Sequence, residues 1–192
     1  MVDTSRGQAH TLEAIVAGVL LLTSVLFALQ ITAVTPLSAS TSNQHIENQQ
    51  QAGAEGVLSI AAENGELKDA VLYWNRTSQR FHNGTVNGYY TKSMPTPFGR
   101  MLERSFADRG IAYNVYVSTY GTNQRDAMIY QGEPSDNAIS ASRSLVLTNS
   151  TRLLTSEMEP GVKINETNFY ASNIGASGYY NTIEVQVVVW RI

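Results

Sequence analysis

The chain divides into one strongly apolar stretch and a polar remainder. From Ala14 to Val34 no residue is charged, and twelve of the 21 positions are Leu, Ile, Val or Phe. At 1.5 Å per residue a helix over this stretch covers roughly 30 Å, the hydrocarbon thickness of a bilayer. Each large apolar residue contributes about -0.3 to -0.6 kcal/mol, so insertion gains roughly 4 to 7 kcal/mol, less a part for Thr23, Ser24, Gln30 and Thr32. The pattern predicts a membrane-spanning helix. A cleaved secretory signal is the alternative, with a small-residue site at Leu37-Ser38-Ala39-Ser40, but its apolar region is usually about 7 to 15 residues.

Thr35-Pro36 is expected to kink or break the helix, because proline lacks an amide donor and pushes its predecessor toward extended geometry. After polar residues 38–43 a second helical pattern follows, with Ile46, Gly53, Val57, Ile60 and Ala61 on one stripe. It reads as an amphipathic stalk stopped by Asn64-Gly65. Packing of that stripe on the head's own sheet is the simpler reading, and contacts to a partner are the other.

The head, from about Leu67 on, mixes one helix with several strands. Pro95-Thr96-Pro97 offers an N-cap and a first-turn proline; Phe98, Met101, Leu102 and Phe106 fall on one face, and Gly110 closes the end. Tyr113, Val115 and Val117 alternate with polar neighbours at the period of a half-buried strand. Further strands are expected at Ala127 to Tyr130, Ile139 to Leu147 and Ile183 to Trp190, the last β-branched enough to be central. Asn83-Gly84 and Asn87-Gly88 mark turns near an early hairpin around Leu72 to Tyr90. The expected fold is α+β: a long N-terminal transmembrane or assembly helix, then an antiparallel sheet head with one further helix. Its parts are a leader over 1–7, the helix over 8–34, a kink and stalk over 35–66, and an extracytoplasmic head over 67–192.

Composition narrows the chemistry. A net charge of -3 and pI near 5.6 give no basic footprint for nucleic acid. Without cysteine there are no disulfides, thiolate metal sites or cysteine nucleophiles. Only Lys68, Lys92 and Lys163 of the 13 basic residues are lysines, compatible with a salt-rich habitat and equally with high-GC coding. No catalytic, nucleotide-binding or zinc motif occurs, and His10, His45 and His82 are scattered, with His82 read as an exposed residue beside a turn. Glu157 and Glu159 lack further acids at ligand spacing, and Glu133 and Asp136 lack the alternation of a calcium loop. No enzyme, cofactor or metal is expected. Sequons at Asn75, Asn83, Asn149 and Asn165 are candidate glycosylation sites, close to the number the asparagine content gives by chance. The pairs Tyr89-Tyr90 and Tyr179-Tyr180 suit sugar or protein contacts if exposed, although tyrosines packing on a sheet are commoner.

Ahead of the span, a short hydrophilic leader ends in Arg6-Gly7 and Gln8-Ala9-His10-Thr11-Leu12-Glu13 leads into the apolar run. This arrangement resembles the class III leader of archaeal type IV pilins and archaellins, and residues 8–51 resemble a group of haloarchaeal pilin-like membrane proteins with the same start and the same Thr35-Pro36-Leu37-Ser38 exit. The resemblance implies cleavage between Gly7 and Gln8 by a prepilin-type peptidase, with Arg6 in leader recognition and the helix retained. Glu13 would then be the sixth residue, one place beyond the acidic position of bacterial pilins. A carboxylate at the lip of an apolar helix needs an interface or a cation. It either meets the new α-amine of a neighbouring subunit during assembly or sits solvated at a helix N-terminus.

The expected function is a structural pilin-like subunit of an archaeal surface filament or pseudopilus. Its partners would be the membrane, the peptidase and other pilin-like subunits, and the head would lie outside the cell. The alternative is a permanently membrane-anchored extracellular binding protein.

Overall fold

The computed structural model of the chain describes residues 3–122, 125–175 and 178–191, as backbone only over 3–9 and 31–43. The fold is α+β, with an N-terminal apolar helix, antiparallel sheets and further helices. Two units divide it, Met1–Ile46 and Glu47–Ile192.

Helix α1 runs from Asp3 to Glu63. It starts ahead of Gln8, where the sequence suggested a boundary, and it is continuous through Thr35-Pro36, where the sequence suggested a kink or a break. Proline's fixed φ is itself helical, so Pro36 removes one amide donor without forbidding the backbone angle. In the first unit the stretch His10–Gln30 has a mean hydropathy of 2.4 and none of it is buried. Gly65, at φ 79°, stops α1 and opens a short second helix, α2 (Glu66–Leu72), because a left-handed residue cannot continue a right-handed helix.

The last turns of α1 are part of the head. Ala54, Leu58 and Ala61 are almost fully buried and join its core together with Val57. The compact unit that holds the head begins at Glu47. The buried stripe differs from the one the sequence suggested: Ile60 is 52% exposed and Gly53 lies outside, while Ala54 and Leu58 point in. Alanine carried too little hydrophobic weight to fix the phase of the helix.

Two further helices occur in the head, where one was expected. The seven residues of α2 span two turns, too few to show a period. Helix α3 (Pro97–Ser105) matches its sequence signals: Thr96 caps it by accepting from the Gly99 amide at 3.2 Å, and Phe98 and Leu102 are buried. A 3-10 turn at Ala107–Arg109 follows and ends at Gly110, at φ 70°.

Strands β1 (Trp74–Asn75) and β2 (Arg80–Phe81) form a small hairpin. The Asn-Gly pairs follow that hairpin and do not close it: the Gly84 amide donates to the Phe81 carbonyl and the Gly88 amide to that of Thr85. The main sheet holds β3 (Ile111–Thr119), β4 (Arg125–Ile129), β5 (Ile139–Thr148) and β8 (Tyr179–Arg191), in the order β4-β3-β8-β5, all antiparallel. A second hairpin joins β6 (Arg152–Leu154) and β7 (Pro160–Lys163), too short for the sequence to reveal.

Strand β8 is central, as its β-branched run predicts. Val185, Val187 and Val189 pair with Val117, Val115 and Tyr113, and all six are buried on the core face. The other face keeps a smaller patch of Ala112, Val188 and Trp190. On the edge strand β5, Ser142, Arg143 and Ser144 are exposed, and such polar residues discourage pairing with a foreign strand.

Candidate functional site

The first place with functional character is the apolar span. Eleven large side chains between Leu12 and Leu29 are more than half exposed, among them Leu21 at 67% and Phe27 at 66%. Thr23 folds its hydroxyl back onto the Val19 carbonyl at 2.8 Å and Ser24 does so onto Leu21 at 2.9 Å, which satisfies both hydroxyls within the helix. One N-terminal helix is thus apolar enough to cross a membrane. At its start His10 Nδ1 lies 3.6 Å from a Glu13 carboxylate oxygen, one turn away, with both side chains exposed. The sequence points to a neighbouring subunit's amine as one partner for Glu13; the structure places an imidazole of the same chain beside it, three residues away. The side chains of Arg6 and Gln8 lie outside the described residues, and Gly7 between them belongs to the backbone of α1.

The sequons are spread over the head. Asn75 is half-buried, and its Oδ1 accepts from the Thr77 and Ser78 amides, closing the β1–β2 turn. Asn83 is exposed at φ 59°. Asn149 and Asn165 are exposed and line one shallow hollow with Asn173 and Tyr180. The Asn165 Oδ1 accepts from its own sequon hydroxyl, Thr167 Oγ1, at 2.7 Å.

Two of the four singled-out tyrosines are buried and structural. Tyr180 donates to the Ala171 carbonyl at 2.6 Å, and the buried Tyr90 donates to that of His82. Burial pushes both phenols above their ordinary range. His82 is half-buried, not exposed: its Nε2 is 3.1 Å from the Leu154 carbonyl oxygen and its ring lies against Tyr73 at 4.9 Å. Among the described residues no three His, Asp or Glu side chains gather at metal-binding distance.

A cavity of about 390 Å³ opens in the head, lined by residues from separate segments: Trp74 of β1, Arg80 and Phe81 of β2, Tyr89 after the second Asn-Gly turn, Asp126 of β4, and Tyr170. Its aromatic members brace one another. Trp74 meets Phe81 edge to face at 5.2 Å and Tyr170 at 5.0 Å, while Tyr89 packs on Tyr130 at 5.6 Å. Burial, and after it the Asp126 carboxylate, hold the Tyr170 phenol well above its usual range, so it stays neutral. The Trp74 indole N–H is buried without an acceptor among the described residues. None of these positions stood out in the sequence except Tyr89, because the rest are single residues brought together only by the sheet.

A wider hollow of about 450 Å³ on the opposite face of the sheet is polar, with Arg125, Ser144, Thr182 and Glu184. Arg125 is already engaged there, stacked over the Tyr116 ring at 3.7 Å.

No curated protein and no solved structure matches the chain. The profile of DUF7288, described as a family of unknown function, matches residues 6–189, which takes in the span and nearly all of the head. The chain belongs to this family.

Proposed function

We propose that the chain is a pilin-like structural subunit, inserted in the membrane through residues 10–30, cut after Gly7 by a prepilin-type peptidase, and packed with similar subunits through the same helix into a surface filament or pseudopilus. One observation carries this reading. Helix α1 is apolar and unburied over His10–Gln30, yet it supplies Ala54, Leu58 and Ala61 to the core of the head. An element shared in this way is an anchor while lipid surrounds it and an assembly surface when copies of itself replace the lipid. The leader-like Arg6-Gly7 supports the second use.

A permanently membrane-anchored surface protein that binds a ligand is the second reading, favoured by the aromatic cavity of the head. The mature N-terminus, read by mass spectrometry in membrane and sheared-surface fractions, separates the two. A subunit of a filament starts at Gln8, free or cyclised, and is found in the sheared fraction. An intact Met1 on membrane-bound chains alone supports the anchored reading, and an N-terminus near Ser40 removes both.

A further inference from the structure

We propose that the cavity bounded by Trp74, Phe81 and Tyr170 is a binding site for a neutral saccharide. The three rings form a braced wall, with Phe81 and Tyr170 at 6.0 Å completing the contacts that Trp74 makes to each. Phe81 is buried and backs the other two, so the part-exposed Trp74 and Tyr170 present the braced aromatic surface, which suits the apolar C–H face of a sugar ring. Around it stand a guanidinium from Arg80, a carboxylate from Asp126 and a carboxamide from Asn87. Arg80 and Asp126 cancel in charge, so the site has no net attraction for an anion or a cation. It offers donors and acceptors together, and hydroxyl groups are the ligand chemistry that is both.

The cavity has room for a ligand. The volume, about 390 Å³, falls at the low end of the roughly 300 to 1,000 Å³ of small-molecule pockets. A mono- or disaccharide fills it. The site is built wholly from the head and stands whether or not the chain assembles into a filament.

The test uses the full chain, produced in a host without N-glycosylation and placed in phospholipid nanodiscs free of glycolipid. The chain has two tryptophans and ten tyrosines, so Trp190→Phe with excitation at the red edge, where tyrosine does not absorb, isolates the emission of Trp74. Glucose, maltose, cellobiose, lactose and N,N′-diacetylchitobiose are titrated into the millimolar range, with glucuronate and glucosamine as charged counterparts. The expected result is a saturable change in Trp74 emission with at least one neutral sugar. Asp126→Asn and Arg80→Gln should each raise its Kd by about tenfold or more, the loss of a hydrogen bond to a charged group. Asn87→Ala, at an exposed turn where folding is not at stake, should weaken binding as well. No response to any neutral sugar, a response only to the charged ones, or affinity unchanged in all three variants would overturn the proposal.

Discussion

Asn114 and Gln131 hold each other across the point where the β3–β4 ladder ends. The Gln131 amide donates to Asn114 Oδ1 at 2.8 Å, and the Gln131 Oε1 accepts from the Tyr113 amide at 3.0 Å. Asn114 Nδ2 also donates to the Gly132 carbonyl at 2.8 Å. Two side chains thus continue a ladder whose backbone pairing ends at Val115 and Ile129, just past its bulge, and they do so at a fully buried asparagine.

Asn114→Leu should therefore destabilise the head although it adds apolar surface. It leaves the Gln131 N–H and the Gly132 carbonyl unpaired, and unmatched buried groups cost about 1–3 kcal/mol each. Urea unfolding followed by circular dichroism should show a loss of roughly 2–4 kcal/mol. A neutral result would mean that water replaces the side chain.

Gly99→Ala should be at least as damaging. A Cβ built at Gly99 would meet the Met94 carbonyl oxygen at 2.0 Å, and the obstacle is backbone that cannot turn aside. The segment before α3 or the helix itself must shift, at about 1–3 kcal/mol or more. Gly56→Ala is the control: nothing lies within 4 Å of its Cβ position, so the gain in helix propensity should leave the melting temperature level or slightly higher.

A fragment starting near Gln44 should be soluble and monomeric without detergent, whereas one starting at Glu66 should aggregate or fail to fold. The shorter fragment loses Ala54, Val57, Leu58 and Ala61 from the core. Burial of Val57 and Leu58 alone contributes roughly 3–6 kcal/mol, a large share of the 5–15 kcal/mol that holds a domain together. Size-exclusion chromatography of the two fragments decides this, and a folded fragment from Glu66 would place the boundary of the head after α1.

Glu13→Gln should leave insertion and leader cleavage intact but lower incorporation into sheared filaments, since the span from Ala14 is unchanged. His10 Nδ1, 3.6 Å away on the same helix, is a second partner for the carboxylate. His10→Ala tests which one matters. If Glu13 serves a neighbour's amine, assembly survives that substitution; if His10 is its working partner, both variants assemble poorly. Normal assembly of Glu13→Gln would remove the carboxylate from the account.

The sequence was legible where periodicity and local chemistry agree over many residues. The span, α3 with its Thr96 cap and Pro97, and the alternation in β3 and β8 could all be read from residue order, because each is decided by near neighbours. The two-residue strands around Trp74 and Phe81, the hairpin at 152–163 and helix α2 could not, since elements that short owe their shape to what they pack against. A break at Pro36 did not follow, because the long helical stretch on either side outweighed a local rule. The aromatic cavity was the least legible part. Trp74, Asp126 and Tyr170 are about fifty residues apart, and nothing in the order of residues links them.

The placement of β8 also sets a timetable. Strands β3 and β5 bond to β8 and not to each other, so neither has its full complement of partners until residues 179–191 have been made. The apolar span ends at Gln30. At about 5–20 residues per second, the intervening chain takes on the order of ten seconds to synthesise. During that interval the span is already made, while Val115, Val117 and Leu147 wait for the strand that will complete their sheet. The apolar span is thus finished first and the sheet closed last, and the head leaves the ribosome as an open chain.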